Sequence, residues 1–469
     1  MKLNFQNNIL YVIAGTCVLI SFLLGVFGYP NMALLLLAVA VGIGISSNIS
    51  HLFFLLIIST PISINFIAPS GFRIGIPNEI LLPVLFGVIF LKLLSGMRIS
   101  FKLLTHPISY LLLLDITWTF ITTLLSDDFT ISIKRFILKF LYITIFFYAL
   151  PQFLKQSKRE SWLFTLYTIG FIIPFITTTY QHIQLGIGYK TSIQVSLPFF
   201  DEHTIYAACA TFLLPYFILS IWKNKQLNWR YLYGTGILGI AFIISYSRAA
   251  WLSFLIAVLL YFLMKCKTSL KQFGYILVAG VFALFIFFQP LFDTLERNNT
   301  KYDDEISSHF ASVTNLQNDA SNLERINRWI CAYRMFEKHP LTGTGPGTYQ
   351  FVYHQYQHPQ HMTRISTHHG DNGNAHSEYL MTLSEMGFPG FLIFISCVYF
   401  SFTTAVRLFY SSQVSSNHKT LILGILLGIV TFYTHGLFNS FIDSSKIAIL
   451  VYGGLGILVS LDTHLKKKI

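Results

Sequence analysis

Residues 321–350 read SNLERINRWICAYRMFEKHPLTGTGPGTYQ, and residues 371–390 read DNGNAHSEYLMTLSEMGFPG. The run between them is rich in His and Tyr. Together these residues form a polar insertion in an otherwise apolar chain. Such an insertion can hold chemistry against an apolar phase, so we expect functional residues to be concentrated in it.

The first part of the insertion predicts a short amphipathic helix. Ser321-x-x-Glu324 matches a capping box, in which each side chain bonds to the backbone of the first turn. His339-Pro340 predicts its end, because the residue before a proline disfavours helical backbone.

Two arginines and a tryptophan lie close together on this helix. Arg325 and Arg328 are three residues apart and share one face, and Trp329 lies one turn after Arg325, where it could stack on the guanidinium. Arginines bind phosphate oxygens in bidentate fashion. A solvated helix face is an equally open interpretation of the same pattern.

Three glycines follow, at Gly343, Gly345 and Gly347, and predict a tight loop. The loop lacks the Lys-Ser/Thr pair of a P-loop. Its backbone N–H groups, that of Gly345 among them, could face an anion. A plain turn remains the simpler interpretation.

A second helix is predicted to begin near Asn374, a good N-cap residue. His376 would then lie in its first turn, where the helix dipole disfavours imidazolium and leaves the ring able to accept a proton. Glu385 would lie on the opposite side of this helix, which indicates a structural role. Gly387 would end the helix, and Pro389 would open the next.

Composition identifies the class of protein. Of 469 residues, 54% are hydrophobic and only 11% are charged, whereas soluble domains carry about 25% charged residues. We therefore predict an all-α, polytopic transmembrane helical bundle, since helices satisfy their own backbone groups in lipid.

Runs long enough to cross a bilayer, or nearly so, lie at 8–28, 31–46, 51–68, 78–95, 107–125, 136–154, 161–180, 204–222, 231–246, 249–265, 273–289, 388–409, 420–439 and 445–461. Because the second and third runs are short, twelve to fourteen spans are expected.

The net charge of +12 is explained by topology. Clusters of basic residues, such as Lys155, Lys158 and Arg159, lie in alternate turns and in the tail, and all of these clusters lie on one side if fourteen spans are counted. By the positive-inside rule that side is cytoplasmic. Both termini are then inside and residues 290–375 are outside, so we exclude nucleic acid as a partner.

Arg248 lies in SYSRAAW, between two apolar runs with almost no loop. A charge at such a position is costly and is often functional. The alternative is an arginine that extends its charged end to the interface from the end of a span.

The remaining outer histidines suggest a metal site, but their spacing matches no zinc signature and no acidic ligand accompanies them. We therefore predict neither a metal nor a cofactor. These histidines are His354, His358, His361, His368 and His369.

The motifs together resemble the bacterial O-antigen ligase and polymerase superfamily. They are SxSR at a span end, RxxxW followed by HPLxGxGPGxY, and the His of HSEYLMTLSEMGFPG; they cover about residues 201–390. Many members have His-Asn where this chain has His376-Ser377. The resemblance implies a GT-C-like fold in the bacterial inner membrane, with residues 1–290 and 376–469 as transmembrane helices and 291–375 as a periplasmic loop, together forming one ligase-like domain.

The family's ligases move a glycan from undecaprenyl diphosphate to lipid A–core. Its polymerases join repeat units, and some relatives glycosylate proteins. The resemblance implies that Arg248 and Arg325 stabilise the diphosphate, with Arg328 as the alternative second arginine, and that His376 is the general base. Trp329 and Tyr349 offer rings on which a sugar could stack. Asp201 and His203, in DEHTIYA at the start of a span, are additional candidate sugar contacts, with Glu202 between them.

A transporter of lipid-linked sugars is the rival class. It would also need outer arginines, but it would be expected to carry charges within several spans. The predicted spans are nearly free of charges, which favours chemistry at one face of the membrane.

Overall fold

The structure is a computed structural model that describes residues 49–67, 73–94, 101–156, 159–223, 226–266, 320–357, 366 and 373–465. Several predictions fall outside these residues. They are the spans at 8–28, 31–46 and 273–289, residues 291–319 of the loop, and His358, His361, His368 and His369.

Every predicted span within the described residues contains a helix, and the all-α fold class is confirmed. Seven helical segments of the described residues are long and apolar enough to cross a membrane, and one of them, Phe129–Lys155, includes a stretch of π-helix. The helices are α1 (Ile49–Ser59), α2 (Asn78–Leu94), α3 (Pro107–Leu124), α4 (Phe129–Tyr142), α5 (Leu150–Gln156), α6 (Trp162–Leu185), α7 (Tyr189–Ser192), α8 (His203–Ser220), α9 (Trp229–Ile244), α10 (Arg248–Lys265), α11 (Ala320–Lys338), α12 (Tyr349–Val352), α13 (Glu378–Tyr410), α14 (Ser416–His435) and α15 (Ser445–Leu465). A π-helix, Ile143–Ala149, joins α4 to α5, and 3₁₀ turns lie at Phe101–Thr105 and Tyr353–Tyr356.

Two short antiparallel ladders were not predicted. β1 (Ile64–Ile67) pairs with β2 (Arg73–Ile76), and β3 (Trp222–Lys223) pairs with β4 (Gln226–Leu227). The prediction of a span over 51–68 is therefore wrong at its end. With 11 residues, α1 is roughly 16 Å long, about half the thickness of the hydrocarbon core.

Helices α8 and α14 pack closely against each other in the core. A Cβ on Gly424 or Gly428 of α14 would come within 2.7 Å of atoms of Tyr216 or Phe212 on α8. These small residues let the two helices approach each other closely. Both α8 and α10 pack along α14, and the Ser247 hydroxyl, just before α10, lies 3.5 Å from Nε2 of His435 at the end of α14.

Two ion pairs involve α4. Lys139 of α4 binds Asp115 of α3 at 2.7 Å, and Arg135 of α4 binds Asp443 at 2.7 Å. The first pair lies within two predicted spans, 107–125 and 136–154, and departs from the expectation of nearly charge-free spans, whereas Arg135 and Asp443 lie just outside the predicted spans. Each charge has an opposite partner, which offsets part of the cost of removing it from water.

The glycine loop is joined to a break in α13. Gly387 has φ 64° and ψ −171°, so the helix kinks where Gly387 and Pro389 predicted its end. Thr344 donates to the Ser384 carbonyl at 3.1 Å, Gly345 to that of Glu385 at 3.0 Å, and Phe388 to that of Pro340 at 2.8 Å. The loop and the kink are therefore one hydrogen-bonded unit.

Candidate functional site

Helix α11 lies against the turn that precedes α13. The Arg328 guanidinium donates to the carbonyl of Asn374 at 3.2 Å, and the Trp329 indole donates to the carbonyl of His376 at 3.3 Å. The predicted end of α11 is confirmed, because the helix stops at Lys338, just before His339-Pro340. The structure thus brings the two-arginine helix to His376.

His376 lies just before α13, not in its first turn. Ser377 is the N-cap, and its hydroxyl accepts from the Leu380 N–H at 3.4 Å. The prediction of an N-cap at Asn374 is wrong, because the Asn374 side chain instead accepts from the His376 N–H at 2.9 Å. His376 adopts a left-handed backbone, with φ 48°, which places its half-buried ring in the bend between the loop and the helix.

Arg328 is engaged in structural contacts. Its Nε donates to Glu324 at 3.0 Å, both side chains are about 95% buried, and its guanidinium lies 5.3 Å from the ring centre of Tyr353. The predicted capping box is wrong, because Ser321 is already inside the helix and Glu324 bonds to Arg328 and Ser366.

Arg325 is the half-buried arginine of the pair, and it lies near two histidines. Its charge acts electrostatically on His203, at the start of α8, and on His435, at the end of α14. The neighbouring Glu202 carboxyl has a raised pKa because it is buried, although the Thr204 hydroxyl donates to it at 3.0 Å and the charges of Arg328 and Arg325 oppose the rise. The Asp201 carboxylate accepts from the Asn65 amide.

Arg248 is the first residue of α10. The N-cap hydroxyl of Ser247 accepts from Ala250 N–H at 3.4 Å, and it lies 3.5 Å from Nε2 of His435. His435 thus connects the start of α10 with the surroundings of Arg325. The sequence prediction did not include His435, which falls at the end of a predicted span where only a run of apolar residues was noticed.

The loop residues predicted as substrate contacts have structural partners. Gly345 N–H bonds to α13, and the Tyr349 N–H donates to the Glu385 carboxylate at 3.0 Å. The buried Tyr349 hydroxyl donates to the Arg328 carbonyl at 2.8 Å. Glu385 therefore anchors the loop, in keeping with its predicted structural role.

The described residues contain no group of three or more His, Cys, Asp or Glu side chains arranged to hold a metal ion. The cation that the structure brings nearest to His203 and His435 is Arg325, on the helix that Trp329 joins to the His376 carbonyl. A guanidinium there could bind an anionic group.

Residues 233–395 match a family model described as O-antigen ligase. The matched stretch contains Arg248, Arg325 and His376. No curated protein matches the chain.

Proposed function

We propose that this chain, whose residues 233–395 match a family model described as O-antigen ligase, is a membrane glycosyltransferase of that superfamily. It moves a glycan from a polyprenyl diphosphate to a hydroxyl of an acceptor. The observation that carries the proposal is the contact of α11, the helix of Arg325, with the turn that holds His376, through the Trp329 indole and the Arg328 guanidinium.

In this mechanism the diphosphate leaves as a stable anion. Arg325 and Arg248 stabilise the negative charge that grows on it in the transition state. His376 removes the proton of the acceptor hydroxyl as that oxygen attacks the anomeric carbon. A single displacement of this kind inverts the anomeric centre, and it requires neither a metal nor a cofactor.

Between the two arginines of α11, we assign the diphosphate contact to Arg325. Arg328 is buried in its pair with Glu324 and in its bond to Asn374. It would therefore act on the reaction by holding the turn of His376. Trp329 has the same supporting role through its bond to the His376 carbonyl.

The donor is undecaprenyl diphosphate-linked glycan and the acceptor is lipid A–core, as in the ligases of the superfamily. Repeat-unit polymerisation or protein glycosylation would use the same site with another acceptor. The site would face the periplasm from the bacterial inner membrane, which the alternation of basic turns supports. Residues 1–290, 291–375 and 376–469 would form one GT-C-like domain.

Transport of a lipid-linked sugar is the second candidate, because α3 and α4 carry half-buried charges. These charges are paired at 2.7 Å, as expected of groups that lock helices together. The two functions differ in whether a covalent bond is broken.

A reconstituted system tests the proposal. Purified protein in liposomes would receive an undecaprenyl diphosphate-linked glycan and acceptor, with a chelator at millimolar concentration. We expect glycan transfer and equimolar release of undecaprenyl diphosphate. Movement of intact donor across the bilayer without bond cleavage would support transport, and activity that depends on one divalent ion would contradict the metal-free mechanism.

A further inference from the structure

The end of α14 and the connection that follows it, residues 436–444, contain buried polar atoms without hydrogen-bond partners. They are Nδ1 of His435, whose residue is 1% exposed, and both Oδ1 and Nδ2 of Asn439, whose residue is 2% exposed. Nearly all buried polar groups in folded proteins are hydrogen-bonded, and an unsatisfied one is costly. An amide with both ends unsatisfied therefore requires an explanation.

Asn439 lies beside the turn of His376. Its backbone carbonyl accepts from the Glu378 N–H at 3.1 Å, and the next carbonyl, of Ser440, accepts from the Asn374 side chain at 3.2 Å. The ring of Phe438 contacts that of Trp329, with centres 6.5 Å apart. The connection therefore packs against both elements that hold His376, namely α11 and the turn.

His435 lies on the other side of the same connection. Its Nε2 lies 3.5 Å from the Ser247 hydroxyl, and its ring meets that of Phe441 edge-on at 5.0 Å. Since Nε2 is directed at Ser247, Nδ1 on the opposite edge of the ring is the atom left without a partner. The charge of Arg325 acts on this ring.

Folding does not require these unsatisfied atoms. The connection is fixed by its backbone, because the Glu378 carboxylate accepts from the N–H groups of Phe441 and Ile442, the latter at 2.6 Å. The Asn439 side chain contributes no bond to that anchoring. An asparagine whose amide costs stability in the free protein is expected where a ligand later satisfies it.

We propose that Asn439 and His435 form a subsite for hydroxyl groups of the sugar that is joined to the diphosphate. A sugar hydroxyl is both a donor and an acceptor, and so is an asparagine amide, which can hold two neighbouring hydroxyls. His435 Nδ1 would bond to a third polar group. This inference rests on the proposed function, because it takes the diphosphate to lie at Arg325.

Binding measurements in lipid nanodiscs test the subsite. The probes are bare undecaprenyl diphosphate and the same lipid carrying glucose, galactose or N-acetylglucosamine. The quantity of interest is the ratio of the dissociation constant of the bare lipid to that of the glycosylated lipid. In the wild type we expect a ratio well above one for at least one sugar.

Asn439→Ala should lower this ratio by about ten-fold, the value of one or two lost hydrogen bonds, and leave the affinity for the bare lipid unchanged. His435→Phe, which keeps the packing against Phe441, should lower the ratio in the same direction. An unchanged ratio in either variant overturns the role of that residue. A wild-type ratio of one for all three sugars overturns the subsite.

Thermal unfolding separates this role from a structural one. Asn78 is a matched control, since it is fully buried but bonded to Ser445 at 3.2 Å and to Ser59 at 3.4 Å. Asn78→Ala should lower Tm and keep the sugar ratio. Asn439→Ala should keep or raise Tm, and a fall as large as in Asn78→Ala would contradict the proposal.

The transfer assay distinguishes failure of the inference from failure of the proposed function. If the wild type transfers glycan and Asn439→Ala keeps the full sugar ratio, only the subsite is wrong. If the wild type binds the glycosylated lipid more tightly but never cleaves it, the subsite stands and the transferase function is wrong.

Discussion

His376 is fixed through its own backbone. Its N–H donates to the Asn374 side chain, its carbonyl accepts from the Trp329 indole, and the residue after it caps α13. The imidazole can therefore keep its position while its proton changes. A general base needs this arrangement, because proton transfer is efficient only within hydrogen-bond reach.

His376→Ala should lower the rate of glycan transfer by about 10²–10⁴-fold, the usual contribution of a general base, with donor binding largely kept because the arginines remain. The measurement is single-turnover transfer in lipid. His354→Ala, in the 3₁₀ turn of the loop, is the matched control. If His354→Ala is inactive and His376→Ala transfers at the wild-type rate, the base is in the loop.

Substitutions of the two arginines of α11 should have different effects, one on activity and the other on stability. Arg325→Ala should abolish transfer in a folded protein, and Arg325→Lys should restore little of it, because the bidentate contact is lost. Arg328→Ala removes one partner of a buried ion pair, so it should cost about 3–5 kcal/mol of stability. Transfer rate and thermal unfolding measure the two effects. If the Arg325→Ala protein is fully active but less stable, Arg325 has the structural role and Arg328 contacts the diphosphate.

At the scale of elements, the kink in α13 depends on one residue. Gly387 has a positive φ, and a Cβ there would lie 2.2 Å from the carbonyl oxygen of Leu341. Gly387→Ala should therefore lower Tm and transfer together, since left-handed backbone alone costs roughly 1–2 kcal/mol and the clash adds to it. Gly239→Ala, in open space on α9, should instead stabilise by about 0.5–1 kcal/mol. Equal Tm values for the two variants would show that the kink tolerates a side chain.

Sequence predicted the elements whose signals are local. Gly387, Pro389 and His339-Pro340 act on their own backbone, so the kink and the end of α11 were predicted correctly. Asn374 was predicted wrongly because a side chain that can cap a helix can also cap the residue two positions on. The pairs Asp115–Lys139 and Arg135–Asp443 and the position of His435 depend on which helices are neighbours, which no local pattern records.

For the whole molecule, the testable property is its orientation in the membrane. The alternation of basic turns predicts that reporters fused after residue 226 or 469 lie in the cytoplasm and that reporters within 300–375 lie outside. Reporter activity on each side measures this directly. A cytoplasmic signal from the 300–375 segment would contradict both the topology and a mechanism that draws its donor from the periplasmic leaflet.

The bonds between the glycine loop and the kink limit how this protein can be recombined with its relatives. A chimera that imports a foreign loop but retains its own residues 384–388 must reproduce three backbone bonds across the junction, those of Thr344, Gly345 and Phe388. The smallest exchangeable module therefore extends from α11 through Gly390. A chimera that is designed to change substrate specificity should join the two sequences outside this module, within the lipid-embedded part of α13.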